Sequence, residues 1–364
     1  MKKLYVTLAI LFATLLGLAP CTFANEEQAD VAATPVVENE VKSIEVLPTM
    51  NWKSDATNRI WVGTFQIVWN EFMDNLVYGP VKFVDYNSPM AKALNKQSFK
   101  KSYIGLNSYY TKYGMMTPSL KEEIEKGIQE KFNETSDILD TMEWAENSDN
   151  LLVYAMLKKD FKFLNAFDKL STGGFGKNYN AFPYFGINEN SDKKLYKNLK
   201  VLFYNSNEDF AVKLFTKDRD EVILYRTNND TTFDEYYSEL NKKSRKFRGN
   251  KRFAKHDELR IPDINLYQQA SFKELEGHDV KGTNFRIDST IETIDFKMNN
   301  EGVELKSEAA MIAKMSALLP ERGRKFYFTD NFVLFLIEKG QKTPYYAMKV
   351  SDLEALNSTA KEEE

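Results

Sequence analysis

One cysteine and two histidines are all that 364 residues offer to thiol or imidazole chemistry. The cysteine, Cys21, lies in the first 24 residues, so a chain cut after Ala24 carries no disulfide. That excludes the stapled scaffolds of small secreted domains and calls for a large apolar core. A Ser-His-Asp site needs His256 or His278 as base, and neither sits beside a recognisable partner motif. Both lie among charged residues and read as surface histidines. A zinc site needs more His or Cys than the chain has, and no metal or cofactor is expected. Ser171-Thr172-Gly173-Gly174-Phe175-Gly176 is rich in glycine but lacks the Lys-Ser/Thr ending of a phosphate loop, so it reads as a flexible turn. With 53 acidic residues, spacing alone selects no catalytic pair. No enzyme chemistry stands out, and no internal repeat or Pro/Gly-rich linker divides the chain.

Only one long apolar run is present, Leu4 to Leu18. It is too short for a membrane span. Lys2 and Lys3 precede it and Thr22-Phe23-Ala24 follows, the pattern of a secretory signal over 1–24. Secretion, or release to a periplasmic or extracellular space, is therefore expected, as a monomer. Acylation at Cys21 is the lesser alternative, because Pro20 stands where a small residue is needed. Removing the signal takes the formal net charge from −4 to −6, which favours solubility and gives the whole protein no pull toward nucleic acid. Residues 25–50 read as a flexible acidic lead-in and 356–364 as a disordered acidic tail, leaving one domain over 51–355.

Within that body, Asn58–Val77 has helical spacing through Ile60, Phe65, Val68, Phe72 and Leu76. A short strand is expected over Val81–Asp85, and a second helix over Leu120–Phe132 with Ser119 as cap. Leu151–Leu157, Lys200–Tyr204, Phe210–Phe215 and Glu221–Tyr225 are apolar runs of strand length. Thr231–Leu240 suggests a helix, Thr290–Met298 alternates like a strand, and Phe332–Ile337 reads as a fully buried central strand. The mixture predicts an α+β fold. One basic run stands apart. Lys242, Lys243, Arg245, Lys246, Arg248, Lys251, Arg252 and Lys255 occur without an acidic residue, with Phe247 and Phe253 interleaved. It reads either as a solvated turn or as a polyanion site.

The C-terminal third carries a family pattern. Met298-Asn299-Asn300-Glu301-Gly302-Val303-Glu304 resembles the hinge of the serpin family, written V-N-E-E-G-T-E. Phe328 to Ile337 is similar to that family's F-x-A-D-R-P-F-L-F-x-I strand, and Tyr345 to Val350 to its closing L-F-M-G-R-V. Asn87-Ser88-Pro89-Met90, Leu151 to Met156, Ala166-Phe167-Asp168 and Phe210 to Tyr225 resemble further segments, so the likeness runs from about residue 58 to 352. About 70 residues of a full serpin are missing between Pro89 and Leu151, and Leu120–Leu139 matches either of two family helices there. The resemblance implies mostly antiparallel central sheets with surrounding helices and an exposed reactive-centre loop. It also implies a suicide inhibitor of serine or cysteine proteases, in which the cut loop enters the central sheet as a new strand. The hinge would be Glu301, Gly302, Val303 and Glu304, and the scissile bond would lie among Lys314, Met315, Ser316 and Ala317.

The loop's own pattern agrees. Val303, Leu305, Ser307, Ala309, Met311 and Ala313 alternate with Glu304, Lys306, Glu308, Ala310, Ile312 and Lys314, one face apolar and the other mostly charged. Departures from the family are specific. Val303 follows the hinge glycine, and Leu305, Lys306 and Glu308 replace small residues, which predicts slow insertion at Leu305. Ala91, Tyr154 and Glu292 stand where the family has gating Ser, Asn and His, Phe163 replaces a Trp, and Asn331 a Pro. The competing expectation is a non-inhibitory binding or structural protein of the cell envelope on the same fold.

Overall fold

The expected α+β class holds: five α-helices and nineteen strands occur among residues 43–136, 138–304 and 323–360, which this computed structural model describes. Along the chain, β1 (Ile44–Val46) and β2 (Asn58–Val62) pair in parallel and lead into α1 (Gly63–Phe72), extended by a widened turn over Met73–Val77. The helix expected from Asn58 therefore gives up its first five residues to a strand. All five are buried, and two-sided burial erases the alternation that marks a half-exposed strand. The strand expected at Val81–Asp85 contracts to one bridge, Phe83 with Val280. Next come α2 (Pro89–Leu94), β3 (Tyr109–Met115), α3 (Pro118–Phe132) and β4 (Leu151–Leu157). The cap of α3 is Thr117, not Ser119: its Oγ1 accepts from the N–H of Leu120 at 3.3 Å, and Pro118 fills the first helical position, where no N–H is needed.

β5 (Phe161–Lys162) precedes a hairpin of β6 (Asp168–Phe175) and β7 (Asn178–Ile187). Ser171–Phe175 thus lies in a strand, and the turn falls at Gly176, whose φ of +57° favours glycine. Then follow β8 (Leu199–Ser206), β9 (Asp209–Phe215), β10 (Asp220–Arg226) and α4 (Phe233–Lys246). A reciprocal box between Thr232 and Glu235 starts α4. β11 (Glu258–Pro262), β12 (Ile264–Ala270), β13 (His278–Asp279), β14 (Arg286–Ile287), β15 (Glu292–Met298) and β16 (Gly302–Glu304) reach the hinge. β17 (Lys325–Tyr327), β18 (Phe332–Glu338), β19 (Tyr346–Val350) and α5 (Leu353–Asn357) close the chain.

The largest sheet runs β1-β2-β19-β18-β10-β9-β8, antiparallel except at its β1–β2 edge. Every residue of β18 is buried, as its apolar run predicts. Two four-stranded sheets, β17-β11-β7-β6 and β12-β15-β16-β5, and the pairs β3–β4 and β13–β14 complete the set. Both expected ends shift. β1 and the buried Leu47 and Met50 belong to the body, so the lead-in stops before residue 50. Leu353 and Leu356 are buried, and the side chains of Asn357 and Thr359 accept from the N–H groups of Asn265 and Tyr267 on β12. The chain is therefore structured beyond residue 355. No helix among the described residues is long and apolar enough to cross a membrane.

Candidate functional site

β4 pairs along all seven residues with β3, and no strand among the described residues covers its other edge. β15 pairs along its whole length with β12, but on its far side β16 meets only Lys297 and Met298. A cavity of about 2110 Å³ is lined by β4 from Leu151 to Leu157, by β15 from Glu292 to Met298, and by Phe65, Val68, Trp69 and Phe72 of α1. Two strand edges left without a pairing strand among the described residues thus line one cleft, the kind of edge that can accept a further strand.

The hinge lies at the mouth of that cleft. Asn299 and Asn300 form the turn between β15 and β16, and Asn299 Oδ1 accepts from the N–H of Glu301 at 2.9 Å. β16 then sits between two strands: Val303 faces Met298 on β15 and Phe161 on β5, and Gly302 faces Lys162. A Cβ on Gly302 would stand 2.3 Å from the carbonyl oxygen of Phe161, so only glycine permits this approach. Val303 is buried, and Glu301 is exposed with its carboxylate 3.6 Å from Lys162 Nζ. Of the four hinge residues, Glu304 contributes its backbone pairing to Lys297. The scissile candidates Lys314, Met315, Ser316 and Ala317 lie outside the described residues, as do the signal 1–24 and the last residues 361–364.

Glu292, at the start of β15, is a buried carboxyl in the cleft wall. One carboxyl oxygen accepts from the N–H of Phe65 in the first turn of α1 at 3.1 Å, and Oε2 is buried without a hydrogen-bond partner among the described residues. Burial pushes its pKa up to about 8, against which the Phe65 N–H works only in part, so the carboxyl is mostly neutral at pH 7. Glu292 thus ties β15 to α1 by a bond of its own. Tyr154 turns its hydroxyl to Ser136, Phe163 packs on Phe167 and Phe185, and Ala91 receives the cap of Ser88.

Beyond the end of β4, Lys159 ties this region to the seven-stranded sheet. Its ammonium lies 3.0 Å from Asp220 and 2.5 Å from Glu338, both of them buried, and Tyr345 donates to Asp220 at 2.9 Å. Burial raises the Asp220 pKa despite Lys159. At Glu338 burial also pushes upward, but Lys159 and the Gly105 N–H more than offset it and hold the carboxyl below its usual range. Nothing in the local sequence marks this triad, because its members come from positions 159, 220 and 338.

The basic run divides. Lys242, Lys243, Arg245 and Lys246 lie in the last turns of α4, and Arg248 to Lys255 follow as a connection to β11. Lys243 is taken up internally by Asp209, Glu239 and the Tyr225 hydroxyl. His278 is more than a bare surface histidine: its ring lies between Phe83 and Tyr86, and Nδ1 meets Asp85 at 3.1 Å, which holds the Asp85 carboxyl below its ordinary range. Among the described residues no group of three or more His, Cys, Asp or Glu is disposed to hold a metal.

No protein-family model matches this chain, and no curated protein does. Solved structures do resemble it. Serpin48 of the insect Tenebrio molitor, described as a highly specific serpin, is 12% identical with a TM-score of 0.42, over 80% of this chain and 96% of its own. A serpin of Schistosoma mansoni is 13% identical with a TM-score of 0.41, over 65% and 64%. Thyroxine-binding globulin, solved with thyroxine, is 11% identical with a TM-score of 0.42, and the match spans 65% of each chain.

Proposed function

We propose that this chain is an exported serpin-like inhibitor of serine or cysteine proteases, which acts when its loop between Glu304 and Arg324 is cut and the hinge side enters the cleft between β15 and β4. The observation that carries this reading is the register of β16. It already pairs antiparallel with β15 on one side and with β5 on the other. Continued toward β4, the same ladder sets Leu305 against Phe296, Ser307 against Ile294 and Ala309 against Glu292 on one side. On the other side it carries Ser307 to Ala313 along Leu157 to Leu151. Val303 and Met298 both face inward, so Leu305, Ser307 and Ala309 follow onto the buried side with Phe296, Ile294 and Glu292. Lys306 comes opposite Asp295 on the outer side. Sequence alternation, hinge geometry and free strand edges thus agree on one insertion.

The driving force is the completion of two ladders and the burial of the loop's apolar face. Resistance comes at Leu305, which must enter beside Phe296, a ring stacked on Tyr346 at 4.9 Å. The test is incubation with trypsin, elastase, chymotrypsin and subtilisin in turn. The expected results are an SDS-stable covalent complex with at least one of them and a rise in thermal stability after loop cleavage. Stabilisation without a complex would leave insertion but make the chain a binding or structural protein of the same fold. Cleavage with neither effect sinks the inhibitor reading.

A further inference from the structure

The fold adds a second lysine-rich segment to the basic run. Ser191-Asp192-Lys193-Lys194-Leu195-Tyr196-Lys197-Asn198-Leu199-Lys200 lies 50 residues upstream of it in sequence and draws no attention there. Three contacts bring the two together. Val201 N–H donates to the Lys251 carbonyl at 3.0 Å, the Tyr196 hydroxyl donates to the Lys255 carbonyl at 3.4 Å, and the rings of Tyr196 and Phe253 meet edge to face at 5.3 Å. Lys193, Lys197, Lys200, Arg252 and Lys255 are exposed, and none has an ion pair among the described residues, whereas Lys194 is matched by Asp192 at 3.4 Å. Lys251 adds its charge while donating to the Ser244 carbonyl at the end of α4.

We propose that this joined surface binds a linear phosphate-bearing polymer that has no bases. Two observations select that class. Of the six cations named at the junction, Lys193, Lys197, Lys200, Lys251, Arg252 and Lys255, five are lysines, compact charges that suit phosphate without the planar fork by which arginine selects its partners. The aromatics of the basic run are not available for stacking: Phe253 is buried, and Phe247 packs toward Gly249 and the core. A single-stranded nucleic acid relies on exposed rings for its bases. The chain is acidic as a whole, so attraction is confined to this face and is lost quickly with salt.

The experiment uses the full chain and fluorescently labelled inorganic polyphosphate, followed by anisotropy between 50 and 200 mM NaCl. Binding is expected to weaken linearly on logarithmic axes. The triple variant Lys193→Gln, Lys197→Gln, Lys200→Gln is expected to bind about tenfold more weakly and to reduce the salt slope by about 2. A control triple at the exposed Lys92 on α2, Lys96 just beyond it and Lys126 on α3 keeps wild-type binding. An unchanged melting temperature of the first triple shows that the loss is local. The proposal is overturned by no binding at 50 mM, by equal losses in the two triples, or by tighter binding of single-stranded DNA or of a sulfated polysaccharide.

Discussion

The seven-stranded sheet and the sheet of β12, β15, β16 and β5 each have a seven-residue strand inside them, β18 and β15, but they close the edges of that strand differently. In the first, β18 lies between β10 and β19, and every β18 residue is buried. In the second, β15 has a full ladder on one side and two residues of partner on the other. The first region holds its charges in a matched triad, Lys159 with Asp220 and Glu338, while the second holds a neutralised and half-partnered Glu292. A completed ladder has nowhere to go. An incomplete one, lined by a group whose bonding is unfinished among the described residues, leaves an edge that a further strand could pair with.

The largest effect on that contrast is expected from Lys159→Ala, which leaves Asp220 and Glu338 buried without their cation. The cost is roughly 3–5 kcal/mol, measured as a drop in the denaturant midpoint. A loss under 1 kcal/mol would mean that β4 is not tied to the large sheet by charge. Next comes Glu292→Gln. Because the folded-state pKa is raised from 4.5 to about 8, the folded protein holds a proton that the unfolded chain releases. The stability this brings is fully present below about pH 4.5 and is lost progressively up to about pH 8. Wild type should fall by on the order of 4 kcal/mol over that window relative to the glutamine variant. Chemical denaturation at pH 5, 7 and 9 checks it, and parallel curves would show that Glu292 is solvated.

Which parts could be read from sequence follows the same division. β18 was legible because a six-residue apolar run needs no knowledge of its neighbours, whereas the hinge at Glu301–Glu304 was marked only by its likeness to a family pattern. β2 was not, because burial on both faces of Asn58–Val62 left the helical spacing of Ile60 and Phe65 as the only visible period. Glu292 is legible as a residue but not as a role, since its partner Phe65 lies 227 positions away. The cleft is hardest of all. It is an absence of pairing between β4 and β15, and no residue type announces a partner that is not there. Lys193 to Lys200 does not stand out in sequence because Leu195 and Tyr196 interrupt its charge, although Tyr196 is what docks it against Phe253 and Lys255.

Two smaller changes sharpen the comparison at the hinge itself. Gly302→Ala places a methyl group against the Phe161 carbonyl, where backbone rather than a flexible side chain must yield. It should cost about 1–3 kcal/mol and part β16 from β5. Faster hydrogen exchange is then expected at the amide of Phe163, which donates to the Glu301 carbonyl at 2.8 Å. An unchanged exchange rate there would mean that β5 moves with the hinge.

Lys162→Ala is expected to do least. Its ion pair with Glu301 spans 3.6 Å, and both side chains are more than half exposed, so water and salt screen it. The loss should stay within about 0.5 kcal/mol and vanish in 0.5 M NaCl, with Phe163 exchange as in wild type. The two hinge variants act on neighbouring residues of the same pairing, Gly302 with Lys162, and differ only in whether backbone fit or charge is removed. A large effect of Lys162→Ala with a small effect of Gly302→Ala would reverse the reading: the hinge would be clipped by an ion pair, and its entry into the cleft would depend on salt. The reverse order leaves the hinge held by close backbone packing, as the 2.3 Å approach at Gly302 requires.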